Sequence, residues 1–136
     1  MDNMIVWADI PVSDLGRAME FYGAVTQHPF MTMDGVPGIA LPAPEQPAVG
    51  APEGGPHGPM PALFDLYVSE KHQPGDGGVT IYLESHGDPW AMLKRAQEAG
   101  GEILEEVADR GPMVGFIGFF RDTEGNRIGV HRAHER

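Results

Sequence analysis

Apolar positions alternate with others along residues 4–12: Val6, Ala8, Ile10 and Val12 share one face, and Ile5, Trp7, Asp9 and Pro11 share the other. A period of two with one apolar face predicts a strand lying against a core. The period then changes. Ser13 or Asp14 is suited to cap a helix, and Leu15, Ala18, Met19, Tyr22 and Val25 recur at helical spacing to about Thr26. Residues 30–33 and 36–41 flank Asp34-Gly35, a dipeptide that supports the positive φ angles of a tight hairpin turn, and residues 62–68 supply a further strand.

The same order returns in the second half. Val79, Ile81 and Leu83 alternate with Thr80, Tyr82 and Glu84; Asp88 then stands where a cap is needed, followed by Pro89 and by Trp90, Leu93, Ala96 and Gln97, with Gly100-Gly101 as the stop. Residues 102–107, 114–121 and 127–131 read as strands, and Asp122-Thr123-Glu124-Gly125-Asn126 as the last turn. Strand, capped helix and three strands, twice over, predict one α+β domain of two βαβββ modules, about 1–70 and 76–136. A ferredoxin-like domain supplies about four strands where about eight are expected here. The count therefore favours a curved, mostly antiparallel eight-stranded sheet around a concave cup, with the helices on its convex side. Between the modules' strands, residues 42–61 carry seven prolines and four glycines, a composition that suits neither a helix interior nor a central strand. A long loop is predicted, serving as a lid or tolerated as an insertion.

Composition narrows the chemistry. The 136 residues suffice for one core and not for two ordinary domains. A net charge of −11 opposes binding to phosphate backbones and anionic lipid, so no nucleic acid and no membrane is expected as a partner. Without cysteine the chain has no thiolate nucleophile or thiolate metal ligand. The segment MDNMIVWADIPV lacks the basic and apolar regions of a secretion signal, and no apolar run reaches membrane-spanning length, so a cytoplasmic location is expected.

Three segments carry a resemblance: IVWADIPVSDLGRAMEFY at 5–22, WAMLKRAQEAGG at 90–101 and FRDTEGNRIGVH at 120–131. The chain resembles the vicinal-oxygen-chelate superfamily, which includes glyoxalase I, fosfomycin-resistance proteins, bleomycin-binding proteins and extradiol dioxygenases. Physically these motifs speak for the fold. Phe21 and Tyr22 can seal the first helix on the sheet, and Gly125-Asn126 lets the chain reverse before the final strand.

The resemblance implies a divalent metal held on the concave face in catalytic members. Aligned on the strand and helix junctions, the usual ligand positions fall on Trp7, on Thr80 or Ile81, and on Gly129, with Asp65 or Tyr67 as the fourth. Indole nitrogen is a donor only and glycine has no side chain. No metal and no cofactor is therefore expected. Strand parity instead directs Trp7, Asp9, Tyr82, Glu84 and His131 into the cup, with Gly129 leaving room among them. The aromatic rings could stack on a planar or cationic ligand, and the carboxylates could pair with its charge. Met31, Met60 and Met113 could add adaptable walls, and His28, His57, His72, His86 and His134 are expected to face solvent.

The leading expectation is a metal-independent small-molecule-binding protein that sequesters an antibiotic or metabolite. The resemblance to bleomycin-type binders adds a homodimer with clefts between protomers. The alternative is a metal-dependent lyase, isomerase or dioxygenase with ligands displaced to Asp9, Glu84 and His131, where a carboxylate beside an imidazole could also serve as an acid-base group. A protein-interaction module without a ligand is the third class.

Overall fold

A computed structural model describes residues 4–43 and 63–134. The chain runs through strand β1 (Trp7–Pro11), helix α1 (Leu15–Thr26) and strands β2 (Phe30–Met33), β3 (Val36–Pro42) and β4 (Leu63–Tyr67). It continues through strand β5 (Ile81–Glu84), helix α2 (Pro89–Glu98) and strands β6 (Glu102–Asp109), β7 (Phe116–Arg121) and β8 (Arg127–Arg132). The βαβββ order thus occurs twice. The strands form two four-stranded sheets, ordered β1-β4-β3-β2 and β5-β8-β7-β6. In each sheet the module's first and last strands run parallel, and every other neighbouring pair is antiparallel. Among the described residues the eight strands of the curved sheet divide into two ladders, each with its module's first strand at an edge. The predicted loop at 42–61, with His57 and Met60, lies almost wholly outside the described residues.

Local chemistry accounts for the helices. Asp14 caps α1 by accepting the Arg17 backbone N–H at 3.0 Å, and Asp88 caps α2 through the Ala91 N–H at 2.9 Å. Ala18, Phe21, Tyr22 and Val25 form the buried stripe of α1, and Pro89, Met92, Leu93 and Ala96 that of α2. After α2 the chain needs a glycine, because a Cβ at Gly101 would lie 2.7 Å from the Arg121 carbonyl oxygen and 2.9 Å from the Phe21 ring.

Three local readings are corrected. Strands β1 and β5 begin at Trp7 and Ile81, later than the alternation suggested; the described pairing with β4 and β8 starts there, at Leu63 and Ile128. Residues without a neighbouring strand gain nothing from extension, and Met4 and Val79 stand 92% and 93% exposed. Of the two turn residues Asp34 and Gly35 only Gly35 takes a positive φ (78°), and the ladder slips between Thr32 and Met33. One glycine and a register shift therefore make the turn, in place of two positive-φ residues.

The core lies between the helices and the sheet faces that they cover, and it draws on both modules: Ile10, Phe21 and Leu66 belong to the same buried cluster as Leu93, Phe120 and Val130. Phe21 meets the Tyr22 ring edge-on at 5.0 Å and reaches Phe120 of the other module at 5.7 Å.

The turn at 122–126 ties the modules together. Asp122, 4% exposed, accepts the Tyr22 hydroxyl at 2.6 Å, the Asn126 N–H at 2.8 Å and the Glu124 N–H at 2.9 Å. Asn126 donates its side-chain amide to the Pro11 carbonyl at 2.7 Å. Glu124 accepts the backbone N–H groups of Ser13 and Asp14, both at 3.0 Å, and pairs with Arg17 at 2.7 Å. The motif residues thus serve the fold, as their sequence context suggested.

Burial by itself would raise the Glu124 carboxyl, but the donors from Arg17, Asp14, Ser13 and Thr123 prevail and hold it at about 2. A depressed folded-state value stabilises the protein above the ordinary carboxyl pKa of 4.5, and that stability is lost as pH falls toward 2. Because Arg17 is half exposed, Glu124→Gln is expected to cost only about 2 kcal/mol at pH 7. Urea titrations at pH 7, 4 and 2 should show the gap from wild type closing; a gap constant with pH would contradict it.

Candidate functional site

The parallel register of β1 and β4 sets Asp9 directly beside Asp65. Along these strands Ile10 and Leu66 turn into the core, at 1% and 0% exposure. The alternate residues Trp7, Asp9, Asp65 and Tyr67 face away from it. Together with Met33, Ile39 and Leu41 from β2 and β3, they line an open concavity of about 480 Å³. Its floor is acidic and its walls are apolar and aromatic, and among the described residues neither lysine, arginine nor histidine lines it.

Asp65 is 3% exposed. Its Oδ2 accepts the Trp7 indole N–H at 3.3 Å, while its Oδ1 is buried with no hydrogen-bond partner among the described residues. Burial first, and then the neighbouring Asp9, raise the Asp65 carboxyl from 3.8 to about 7; the Trp7 N–H and the residue's own backbone oppose the rise. Asp9, level with Asp65 on the neighbouring strand, offers further acceptor oxygens. Chemically the pair is an acceptor awaiting N–H donors, with rings nearby that can stack on a flat group.

The remaining residues expected in the cup lie on the second sheet. Tyr82 covers Gly129, where a Cβ would collide with the phenol ring, and it meets the Phe119 ring edge-on at 5.7 Å. Glu84 is in register with His131 and lines a separate concavity of about 490 Å³ with His86, Gly87, Arg132, Ala133 and His134. The His131 imidazole donates from Nε2 to the Val114 carbonyl at 2.6 Å. Within one chain, Trp7 and Asp9 therefore share a concavity, while Tyr82, Glu84 and His131 belong to the other sheet. Asp9, Glu84 and His131 do not line one concavity.

Several secondary readings change. His28 is half-buried and donates to the Ala43 carbonyl at 2.7 Å; His134 stacks on Phe116 at 4.8 Å and donates to Asp109 at 2.8 Å. Neither simply faces solvent. Met33 supplies the apolar wall that Met31 was expected to provide, and Met113 is 98% exposed. Asp65 carries the site more than its place as a possible fourth ligand suggested. Its signal was a carboxylate in the middle of the otherwise apolar strand LFDLY.

Comparison with known proteins now bears on the arrangement. The profile of the Glyoxalase/Bleomycin resistance protein/Dioxygenase superfamily matches residues 4–130. The chain belongs to this superfamily. Among curated proteins no sequence matches. Among solved structures, a glyoxalase/bleomycin resistance protein from Albidiferax ferrireducens T118 is 21% identical with a TM-score of 0.66, over 96% of this chain and 100% of that one. One from Streptomyces sp. CB03234 is 23% identical with a TM-score of 0.59, over 94% and 99%. A glyoxalase-related enzyme from Fulvimarina pelagi is 13% identical with a TM-score of 0.64, over 96% and 88%. At these identities the likeness concerns the fold.

Among the described residues, the donors do not suit the divalent metal of catalytic superfamily members. Among the described residues no three His, Cys, Asp or Glu side chains converge to hold an ion. The Trp7 N–H is engaged by Asp65, the Thr80 hydroxyl accepts from Arg127 at 3.3 Å, and Gly129 contributes nothing. Among the described residues no helix is long and apolar enough to cross a membrane.

Proposed function

We propose that this superfamily member is a metal-independent binder of a small cationic molecule with a planar part, acting as a cytoplasmic homodimer. The observation that carries the reading is the buried, unpartnered Asp65 Oδ1 in a concavity walled by Trp7, Tyr67 and aliphatic side chains. A buried acceptor without a donor is costly, and a ligand N–H would relieve it. Trp7 can stack on the ligand's flat part, and the net charge of −11 favours the approach of a cation.

The dimer is supported by the two bare sheet edges. Beside β1, Met4, Ile5 and Val6 are 92%, 69% and 62% exposed, and Val79 beside β5 is 93% exposed. Bare edges flanked by apolar side chains are costly to leave in water. A second copy laying its β5 edge along β1 would bring its Tyr82, Glu84 and His131 opposite Trp7 and Asp9, completing the five-residue cup between chains.

Calorimetry against a panel of aryl amines and amidines is expected to find a ligand whose affinity falls about tenfold or more in Trp7→Ala. Sedimentation is expected to give twice the chain mass. Unchanged affinity in Trp7→Ala would reject this cup, and a monomer at micromolar concentration would reject the shared one.

A further inference from the structure

We infer that the chain carries a second ligand site where β8 ends, one that takes a planar carboxylate: Arg132 grips the carboxylate, and the His86 and His134 rings flank the flat part. This goes beyond the cation-binding reading and uses neither Asp9 nor Asp65.

Arg132 is held unlike other arginines of the chain. Arg17, Arg110, Arg121 and Arg127 each pair with a carboxylate. The Arg132 guanidinium lies instead over the Phe116 ring at 4.7 Å and the Trp90 ring at 5.6 Å, and it donates from Nη1 to the Gly87 carbonyl at 3.3 Å. Among the described residues no carboxylate forms an ion pair with it. Two rings and a carbonyl thus fix the plane of a full positive charge while leaving N–H groups of its fork without an acceptor. A fork fixed beforehand loses less freedom on binding than a mobile one. Alternation along β8 sets Arg132 on the face of the buried Ile128 and Val130, opposite to His131 and so apart from the cup.

The surroundings form a receptacle for a flat anion. Arg132 lines the concavity of about 490 Å³ together with Glu84, His86, Gly87, Ala133 and His134. The His134 ring is held by stacking on Phe116, 8° from parallel at 4.8 Å, and by donating to Asp109 at 2.8 Å. His86, on a left-handed φ of 53°, sets a second imidazole there on a turn that would accept glycine. A carboxylate offers two coplanar oxygens to the fork, and a ring conjugated to it can lie against an imidazole. Glu84 narrows the choice of anion. Its carboxylate lines the same space, with Oε1 accepting the His86 backbone N–H at 3.0 Å, and the chain carries a net charge of −11. A monoanion is opposed less by these charges than a phosphate dianion.

Benzoate is the probe, benzamide its neutral counterpart of similar shape, and inorganic phosphate the tetrahedral anion. In two-dimensional NMR spectra of the full chain, benzoate is expected to shift the Trp90 indole and the Gly87 and Ala133 amide signals, approaching saturation by about 10 mM, and to leave the Trp7 indole in place. Arg132→Gln should weaken binding about tenfold or more. Arg132→Lys keeps the charge and loses the fork; it should weaken binding at least about threefold, so the assignment stays testable should the glutamine variant not fold. Benzamide should shift nothing, and phosphate should bind about tenfold or more weakly than benzoate. Unmoved Trp90, Gly87 and Ala133 signals at that benzoate concentration would overturn the site, as would shifts centred on Trp7 or an affinity unchanged by substitution of Arg132. An equal response to benzamide would overturn recognition of the charge, and phosphate binding as tight as that of benzoate would overturn the planar carboxylate as the ligand class.

Discussion

Asp122→Ala is expected to lower the stability of the folded chain by about 3–5 kcal/mol, enough to threaten folding at 37 °C. The side chain is 4% exposed and accepts from three residues. Removing it strands the Tyr22 hydroxyl, itself fully buried, along with the backbone N–H groups that shape the final turn. Burial, reinforced by the charge of Asp122, holds the Tyr22 phenol well above its usual pKa, so at neutral pH the phenol stays a donor. Its partner is thus not optional. Tyr22→Phe removes only one donor and should cost about 1–2 kcal/mol, and the double variant should cost less than the sum of the two singles. Urea unfolding followed by tryptophan fluorescence and by circular dichroism measures all three. A loss below about 1 kcal/mol in Asp122→Ala would mean that the turn is not what joins the modules.

Asp65→Asn is expected to act in the opposite direction and only at high pH. A carboxyl raised in the folded state from 3.8 to about 7 favours folding fully below 3.8, and that advantage is lost as pH rises through 7. Above neutrality the wild type must bury a carboxylate beside Asp9. Asparagine carries no charge there, and its amide can donate to Asp9. The variant should match wild type near pH 4 and exceed it by about 2–4 kcal/mol at pH 9. Melting temperatures across that range decide it; equal stability at pH 9 would mean that Asp65 is solvated after all. Stability gained where binding is lost is the pattern expected when a site holds strain for its ligand.

How far the sequence carried is best judged residue by residue. Both helices were legible because cap, first turn and apolar period agreed at Asp14 and Asp88. Strand parity separated Tyr82 and Glu84 from the buried Leu83, since alternation is a local property; that they stand level with Gly129 and His131 is a matter of register, which parity does not give. The true lengths of β1 and β5 were not legible, because where an edge strand frays depends on where its partner begins. The meeting of Asp9 with Asp65 was hidden for a related reason. It arises from a parallel pairing between strands more than fifty residues apart, and no local pattern announces which pair of carboxylates such a register will align. Periodicity also gave a count of eight strands without revealing that they divide into two sheets.

The ties made by the last turn also bear on the order in which the molecule can form. The first helix starts at Leu15, yet the donors just before it, the N–H groups of Ser13 and Asp14, are satisfied by Glu124, 111 and 110 residues later. The carbonyl that ends β1 waits for Asn126, 115 residues on. A chain emerging from synthesis therefore lacks the closing pieces of its opening module until the final hairpin is made. Loops of that span are closed late and slowly. The two modules share a plan, but the first matures only as the second is finished, which makes the repeat a single cooperative unit in time as well as in space.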